Sequence, residues 1–354
     1  MAASQTPTTN LPKNQENYEE PRQSEHEFSH EFDLSSLPRE DRAQVYPLYQ
    51  YRGFWYFEGT LHAMFACQRH FKTRQTDVIL TTVPKSGTTW LKALAFALVN
   101  RTRFPHPQAH THPLLTTNPH KLVPFLESQL YADNRIPDLD ALVSPAIIST
   151  HLPYSALPQS IKDGSDCKLV YLCRNPKDVL VSRWHFVAQM AAADDHKSSN
   201  IASLEDAFEM FCAGISFCGP FWEHVLEYWK ASLEKPHKVL FLKYEDLKRK
   251  PVLELKKLAE FLGHPFAPEE NEQGALDDIL RLCNFEHLSN LEVNKSGKIH
   301  EELKDLAGVE HRLFFRRGQV GDSSNHLTPQ MIERMDQITL QKFQGSGLTF
   351  QLSD

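Results

Sequence analysis

The chain has 354 residues, 41% hydrophobic and 23% charged, enough for one large α/β domain or two. Its formal net charge of −7 excludes nucleic-acid binding by bulk electrostatics, so an anionic ligand would need a local cationic pocket. The 6 cysteines form no CxxC pair and lie mostly in apolar segments, which reads as reduced thiols in a cytoplasmic protein rather than zinc ligands. No N-terminal apolar leader and no apolar run of about 18 residues is present, so neither secretion nor a membrane partner is expected.

Residues 1–44 are polar and rich in Pro, Gln, Asn and Glu, and read as a disordered tail with at most a short helix over Phe28–Leu34. Residues 45–354 form the domain. It opens with an aromatic cluster, Phe54, Trp55, Tyr56 and Phe57, and then Leu61, Met64, Phe65 and Gln68 at helical spacing. These rings either pack a helix on a sheet or line an apolar pocket, with Trp55 as the candidate lining residue.

Asp77–Arg101 organises the rest. Val78–Val83 is a short β-branched and aliphatic run that predicts a buried strand, stopped by Pro84. Lys85, Ser86, Gly87, Thr88 and Thr89 follow, and then Trp90, Leu91, Leu94, Ala95 and Leu98 at helical spacing. Gly87 admits a close anion, the threonines open the helix, and free N–H groups with one ammonium make an anion site. The lysine precedes the glycine and there is no GxxxxGK, so this is not a Walker A loop.

His106, His110 and His112 follow in a Pro-His stretch with no acidic or cysteine partner, so no metal is assigned to them. Phe125–Tyr131 suits a short helix. Pro145–Thr150 predicts a second strand ending at His151, a candidate acid or base at a strand's carboxyl end. Lys168–Cys173 predicts a third strand that runs into Arg174, with Pro176 in the first helical turn. Ser182 lies two turns into that helix and Phe186 one further turn on, on the same face. Residues 187–203 read as a loop over the sheet, and helices are expected near 204–217 and 219–233. A fourth strand over Val239–Tyr244 ends in Tyr244-Glu-Asp. Helices are expected over Glu254–Leu262, Asp277–Phe285 and Pro329–Phe343, the second carrying Cys283 and Phe285. Arg316, Arg317 and Gly318 offer guanidinium forks beside a flexible backbone. Strands alternating with helices predict a central parallel sheet in a single α/β domain. Anion grips at separate strand ends call for a ligand with two anionic groups held apart, such as a nucleotide bearing phosphates at both ends of its ribose.

Pro84–Trp90 (PKSGTTW), Arg174–Asp178 (RNPKD) with Ser182, Tyr244–Asp246 (YED) and Arg316–Asp322 (RRGxxGD) together resemble the signature set of the cytosolic sulfotransferases. The wording WLKAL and STHLPY is similar to the plant branch, and the likeness runs colinearly from about Tyr51 to Phe343. The resemblance implies a sulfotransferase fold related to nucleotide kinases and a donor, 3′-phosphoadenosine 5′-phosphosulfate, released as adenosine 3′,5′-bisphosphate, without metal. It implies that Lys85, Ser86, Gly87, Thr88 and Thr89 hold the phosphosulfate and that Lys85 neutralises the leaving phosphate. Arg174, Ser182, Arg316, Arg317 and Gly318 would bind the 3′-phosphate. Trp90, Tyr244 and Phe285 would meet the adenine, with Cys283 where a small hydroxylated residue often touches it. His151 would be the general base, and Ser182 would hold Lys85 aside until the acceptor binds. The acceptor would be a small hydroxylated metabolite: plant relatives act on flavonols, steroid-like hormones, hydroxyjasmonates and desulfoglucosinolates. Trp55, Tyr154 and Phe186 are its candidate walls, and their aromatic character favours a flat or apolar acceptor.

The chain departs from the family pattern at Ser323, where tryptophan is usual, and at Arg317, where lysine is common. Ser324 and Pro329 replace the lysine and valine of the family's dimer motif, which predicts a monomer. The competing readings are a nucleotide or nucleoside kinase, which lacks its Walker A loop here, and a non-catalytic nucleotide-binding protein, which would have no need of Lys85 and His151.

Overall fold

The computed structural model describes residues 33–42, 46–105, 111–164, 166–192, 202–299 and 308–350. The chain divides into units Met1–Ser35 and Ser36–Asp354. Of the first, residues 33–35 are described: Asp33 Oδ1 accepts from the Ser35 N–H (2.9 Å) where Leu34 opens a 3-10 turn. Most of the helix expected over Phe28–Leu34 lies outside the described residues.

The second unit takes in residues 36–44, which the sequence assigns to the tail. Here β1 (Arg39–Glu40), β2 (Leu48–Tyr51) and β3 (Phe54–Tyr56) pair antiparallel, with Glu40 opposite Leu48 and Gln50 opposite Trp55. This small sheet breaks the expected strict alternation of strands and helices. Its strands are too short to carry a period-2 pattern, and the aromatic run looks the same as helix core. Then α1 (Glu58–His70) takes up the helical spacing read from Leu61 onward.

The central sheet is β4 (Val78–Thr82), β5 (Ile147–Thr150), β6 (Lys168–Cys173) and β7 (Val239–Lys243), in spatial order β5-β4-β6-β7 and parallel throughout. Helices cover both faces, which is why its strands are continuous apolar runs. On one face Val78, Leu80, Val170, Leu172, Leu240 and Leu242 pack with Leu91, Leu94 and Leu98 of α2 (Thr88–Val99). On the other, the Tyr171 ring stacks on Tyr228 at 4.3 Å. The chain leaves β4 for β5 on one side and returns to β6 on the other. A crevice of the kind that takes ligands in open parallel sheets therefore opens at the carboxyl ends of these strands.

Short helices α3 (Pro113–Thr116) and α4 (Pro119–Leu122) follow α2, and Leu126–Leu130 forms a π-turn within the expected Phe125–Tyr131 helix. His106 and His110 lie outside the described residues. His112 is buried, its Nδ1 accepts from the Leu114 N–H (3.2 Å), and burial pushes it down to about 4. It is a helix cap.

The helix after β6, α5 (Pro176–Ala192), runs through residues 187–192, which the sequence assigns to a loop; residues 193–201 of that loop lie outside the described residues. Alanines and methionine at 188–192 carry helix propensity that the following polar stretch masks. Next come α6 (Leu204–Cys212), α7 (Phe221–Glu234), α8 (Tyr244–Arg249) and α9 (Pro251–Phe261). Tyr244 thus opens a helix rather than ending β7. The helix expected over Asp277–Phe285 is two, Ala275–Leu282 and Phe285–Asn290, parted where the Asn284 side chain caps the second. Pro329–Phe343 is helical as expected, with Thr328 Oγ1 accepting from the Met331 N–H (3.2 Å).

Candidate active site

The carboxyl ends of the parallel strands each deliver part of one cavity of about 450 Å³. After β4 come Lys85, Gly87, Thr88, Thr89 and Trp90; after β5, His151; after β6, Arg174, with Ser182 and Phe186 on α5; after β7, Tyr244. Cys283, Phe285, Arg316, Arg317 and Gly318 close it from the C-terminal part of the chain. Stretches far apart in sequence converge because the sheet is parallel.

The loop after β4 is shaped by its backbone. Lys85 has φ 73° and Gly87 has φ 106°. A positive φ on a bulky residue is strain of order 1–3 kcal/mol, of the kind held at functional sites. A Cβ at Gly87 would lie 2.7 Å from Tyr244 Cδ2, so glycine is required by space as well as conformation. Tyr244 then stands edge-on to Trp90 (5.5 Å) and under the Arg174 guanidinium (4.5 Å). The first N–H groups of α2 have no intrahelical partner and sit at the dipole's positive end. Ser86 is buried behind the loop, off the cavity wall, and its Oγ finds no partner among the described residues.

Lys85 Nζ lies over the Phe186 ring, 3.8 Å from its centroid, with the Phe314 ring at 5.8 Å. Burial, then the nearby Arg316 and Arg174 charges, pull its pKa down to about 7. The ammonium's recorded rest is thus Phe186, one turn beyond Ser182.

The second cationic end is braced by acids. Arg174 Nη2 donates to Asp178 Oδ2 (3.0 Å) and to the Gln319 carbonyl (2.6 Å). The same Asp178 carboxylate accepts the Gly321 and Ser323 N–H groups, each at 2.9 Å. This first-turn aspartate of α5 therefore fastens the 316–323 loop beside Arg174. Asp322, 3% exposed, pairs with Arg316 and Arg317, each at 2.5 Å. Burial pushes its carboxyl up, but the hydrogen bonds from Arg316 and Asn325 and the Arg316 charge outweigh it, leaving a pKa of about 2. Ser323, standing where the family usually has tryptophan, contributes its backbone N–H to Asp178. Gly318 abuts Phe285, where a Cβ would come within 2.4 Å of the ring. Cys283 is a buried thiol whose pKa burial raises.

His151 sits at the cavity's other end. Its Nδ1–H donates to the Thr82 carbonyl (2.8 Å), which leaves Nε2 as the unprotonated nitrogen. Burial pushes its pKa down to about 3, against the pull of the Thr82 hydrogen bond. Its backbone N–H donates to Glu127 Oε1 (2.7 Å), and burial raises the Glu127 pKa. Rings surround it: Phe125 at 4.8 Å and Phe217 at 6.4 Å, the latter stacked on Phe57 at 4.5 Å.

Of the candidate acceptor walls, Phe186 lines the cavity and Trp55 and Tyr154 do not. Trp55 is held inside β3: its N–H donates to Gly219 O (2.9 Å) and its carbonyl accepts from the Cys218 N–H (2.7 Å). Phe57, two residues on, lies past the strand's end and enters the cavity instead. Tyr154 turns away after Pro153 and meets the Tyr228 ring at 5.5 Å, on the sheet's other face. Sequence reasoning missed Glu127, His120, Phe217 and Phe314. Phe314 stands two residues before Arg316; the others carry no local signal.

The arrangement suits a bis-anionic nucleotide. Arg174, Arg316 and Arg317 outnumber Asp178 and Asp322, and the buried Arg174 Nε and Arg316 Nε find no partner among the described residues. A neutral imidazole and a lysine line the same space.

Comparison with known proteins agrees. Residues 75–347 match the family model for the sulfotransferase domain. Cytosolic sulfotransferase 5 of Arabidopsis thaliana is 48% identical over 318 residues, 90% of this chain and 95% of that one. The crystal structure of a candidate steroid sulphotransferase of Arabidopsis thaliana superposes with a TM-score of 0.69 at 40% identity, covering 90% of this chain and 93% of that one. Retinol dehydratase, solved with retinol and PAP, shares the fold at 23% identity, with a TM-score of 0.66 over 90% of this chain and 94% of that one.

Proposed function

The chain belongs to the sulfotransferase family, and from that premise we propose that it transfers the sulfuryl group of 3′-phosphoadenosine 5′-phosphosulfate to a hydroxyl of a small aromatic or apolar metabolite. The observation that carries the reading is the His151 Nδ1–H bond to Thr82 O (2.8 Å), which leaves a neutral Nε2 base in the same cavity as Lys85.

The donor supplies the sulfuryl group and a phosphate on which negative charge grows as that group leaves. The chain's own residues do the rest. Lys85, Gly87, Thr88, Thr89 and the N–H groups opening α2 hold the phosphosulfate and meet the growing charge, in a site already organised to do so. Ser86 supports the loop from behind. Arg174, Ser182, Arg316, Arg317 and Gly318 hold the 3′-phosphate, and Trp90, Tyr244, Phe285 and Cys283 wall the base. His151 Nε2 removes the acceptor hydroxyl's proton during attack. The ring wall of Phe57, Phe125, Phe186, Phe217 and Phe314 excludes water and favours a flat or apolar acceptor.

Family membership displaces the kinase and the non-catalytic alternatives. The reaction is placed in the cytosol, as the Arabidopsis relative's name has it for that protein. A monomer is proposed, since Ser324 and Pro329 stand where the family's dimer motif has lysine and valine. Ser324 Oγ donates to Gly321 O (2.8 Å) and Pro329 begins a helix. Light scattering giving a tight dimer through residues 322–333 would overturn that part.

The test is incubation of the purified protein with labelled donor, a plant-metabolite panel and no added metal, with Lys85→Ala and His151→Ala alongside. Transfer by the parent, and transfer lowered by ~10²-fold or more in the variants, is expected. No turnover and no binding of adenosine 3′,5′-bisphosphate would sink the reading.

A further inference from the structure

Behind the donor loop lies a buried chain of polar groups for which the reaction as described has no use. Lys92, on α2, is 0% exposed. Its Nζ is 3.0 Å from His120 Nδ1 and 3.3 Å from the centroid of the Phe125 ring. His120, on α4, is 2% exposed, and its Nε2 is 2.9 Å from Thr89 Oγ1. The ring is fixed between Phe125 (5.5 Å, 19° between planes) and Phe314 (4.2 Å). Its backbone N–H donates to Asn118 Oδ1 (2.9 Å), and Asn118 is tied to Asn294 (2.9 Å). Thr89 lines the cavity at the start of α2.

The donor and acceptor inventory gives this chain a direction. A lysine ammonium donates and cannot accept. With Lys92 held as the ammonium over the Phe125 ring, His120 Nδ1 accepts, the ring proton sits on Nε2, and Nε2–H donates to Thr89 Oγ1. With its oxygen engaged as acceptor, the Thr89 hydroxyl is left to donate into the cavity, where an anion is expected. Burial draws the Lys92 pKa well below the ordinary lysine range against the smaller pull of the Glu127 carboxylate, while the Phe125 face beneath Nζ is a seat for the ammonium.

We propose that Lys92 and His120 are positioning residues for donor binding: they set the Thr89 hydroxyl as a fixed hydrogen-bond donor toward the phosphosulfate. The inference rests on the donor assignment made above and adds residues from a second helix to it. Lys92 stands off the cavity wall and His120 lines it; both act on the donor through Thr89.

The experiment is equilibrium binding of adenosine 3′,5′-bisphosphate, with steady-state KM for donor and acceptor. The proteins are the parent, Thr89→Val, His120→Leu, His120→Gln, Lys92→Met and the double variant Thr89→Val/His120→Leu. Losing a hydrogen bond to a charged ligand corresponds to about 10-fold or more in affinity. Thr89→Val and His120→Leu are each expected to weaken binding by ~10-fold, and the double variant no further, because both remove one interaction. Lys92→Met, which keeps bulk over Phe125, is expected to weaken it in the same direction. His120→Gln, whose amide N–H reaches the Nε2 position, is expected to stay within ~3-fold of the parent. Donor KM should rise while acceptor KM holds. Multiplying losses in the double variant, or a glutamine variant no better than leucine, would overturn the proposal. Absence of binding by the parent would overturn the donor assignment as well, whereas tight parental binding unchanged in His120→Leu overturns the relay alone.

Discussion

Lys85 Nζ rests on the face of Phe186, 3.8 Å from the ring centroid, with its pKa drawn down to about 7. A bound anion opposes the burial and the arginine charges that lower it, so ligand raises the pKa back toward the ordinary lysine range. The ligand-bound state then holds more protons between about pH 7 and pH 10. Affinity for adenosine 3′,5′-bisphosphate should be flat below about pH 7 and weaken up to ~10-fold per pH unit above it. Calorimetry in buffers of different ionisation heat should find uptake approaching ~1 proton per site near pH 8, absent in Lys85→Met. In Phe186→Leu the onset should move to lower pH, because the ring no longer favours the ammonium.

His151 behaves in the opposite sense to a typical neutral-range base. With its pKa held down to about 3 and Nδ1–H fixed on Thr82 O, Nε2 remains a free base at all ordinary pH values. A plot of kcat/KM against pH should show no histidine limb between pH 5 and 7. Nitrogen NMR should find Nε2 unprotonated there. Replacement by alanine should lower kcat by ~10²–10⁴-fold, the usual worth of general-base catalysis.

Asp178 should be the most sensitive residue outside the reacting groups. It is 1% exposed and serves Arg174 together with the Gly321 and Ser323 N–H groups. Asp178→Ala leaves a buried guanidinium and N–H groups unpaired, and should cost about 3–5 kcal/mol in denaturant unfolding. Asp178→Asn keeps an acceptor and should lose less stability, yet still raise donor KM. Equal stability in all three proteins would contradict the clamp.

Gly87→Ala should fail for two separable reasons. Its φ of 106° disfavours any side chain, and the added Cβ meets Tyr244 at 2.7 Å. Nucleotide binding should be lost, and shortening the ring with Tyr244→Leu in the same chain should relieve the clash while leaving the backbone strain. Gly263→Ala, at φ 76° with open space around the glycine, is the control for strain alone.

Much of the site was legible because its chemistry is contiguous. Lys85–Trp90, Arg174 with Ser182, and Arg316–Gly318 each carry loop or helix signals within a few residues, and parallel-strand logic brings them together. The central strands were legible as unbroken apolar runs, a consequence of helices on both faces. What depends on register or on long-range packing was not. Trp55 and Phe57 look alike in sequence, and only the end of β3 decides which one faces the cavity. Glu127, His120 and Lys92 are polar residues in apolar surroundings whose partners come from other elements, so nothing local distinguishes them from ordinary loop and helix residues. Residues 187–192 read as loop because the polar stretch after them hides the end of α5.

The Asp178 clamp also orders events during translation. Arg174 and Asp178 leave the ribosome long before Gly321 and Ser323, which lie 143 and 145 residues further along. Until that last segment arrives, the nascent sheet has the loop after β4 and Arg174 but lacks the 316–323 loop that Asp178 fastens beside them. Closure of the cavity therefore waits for nearly the whole polypeptide, because the loop that carries Arg316–Gly318 is among the last parts made.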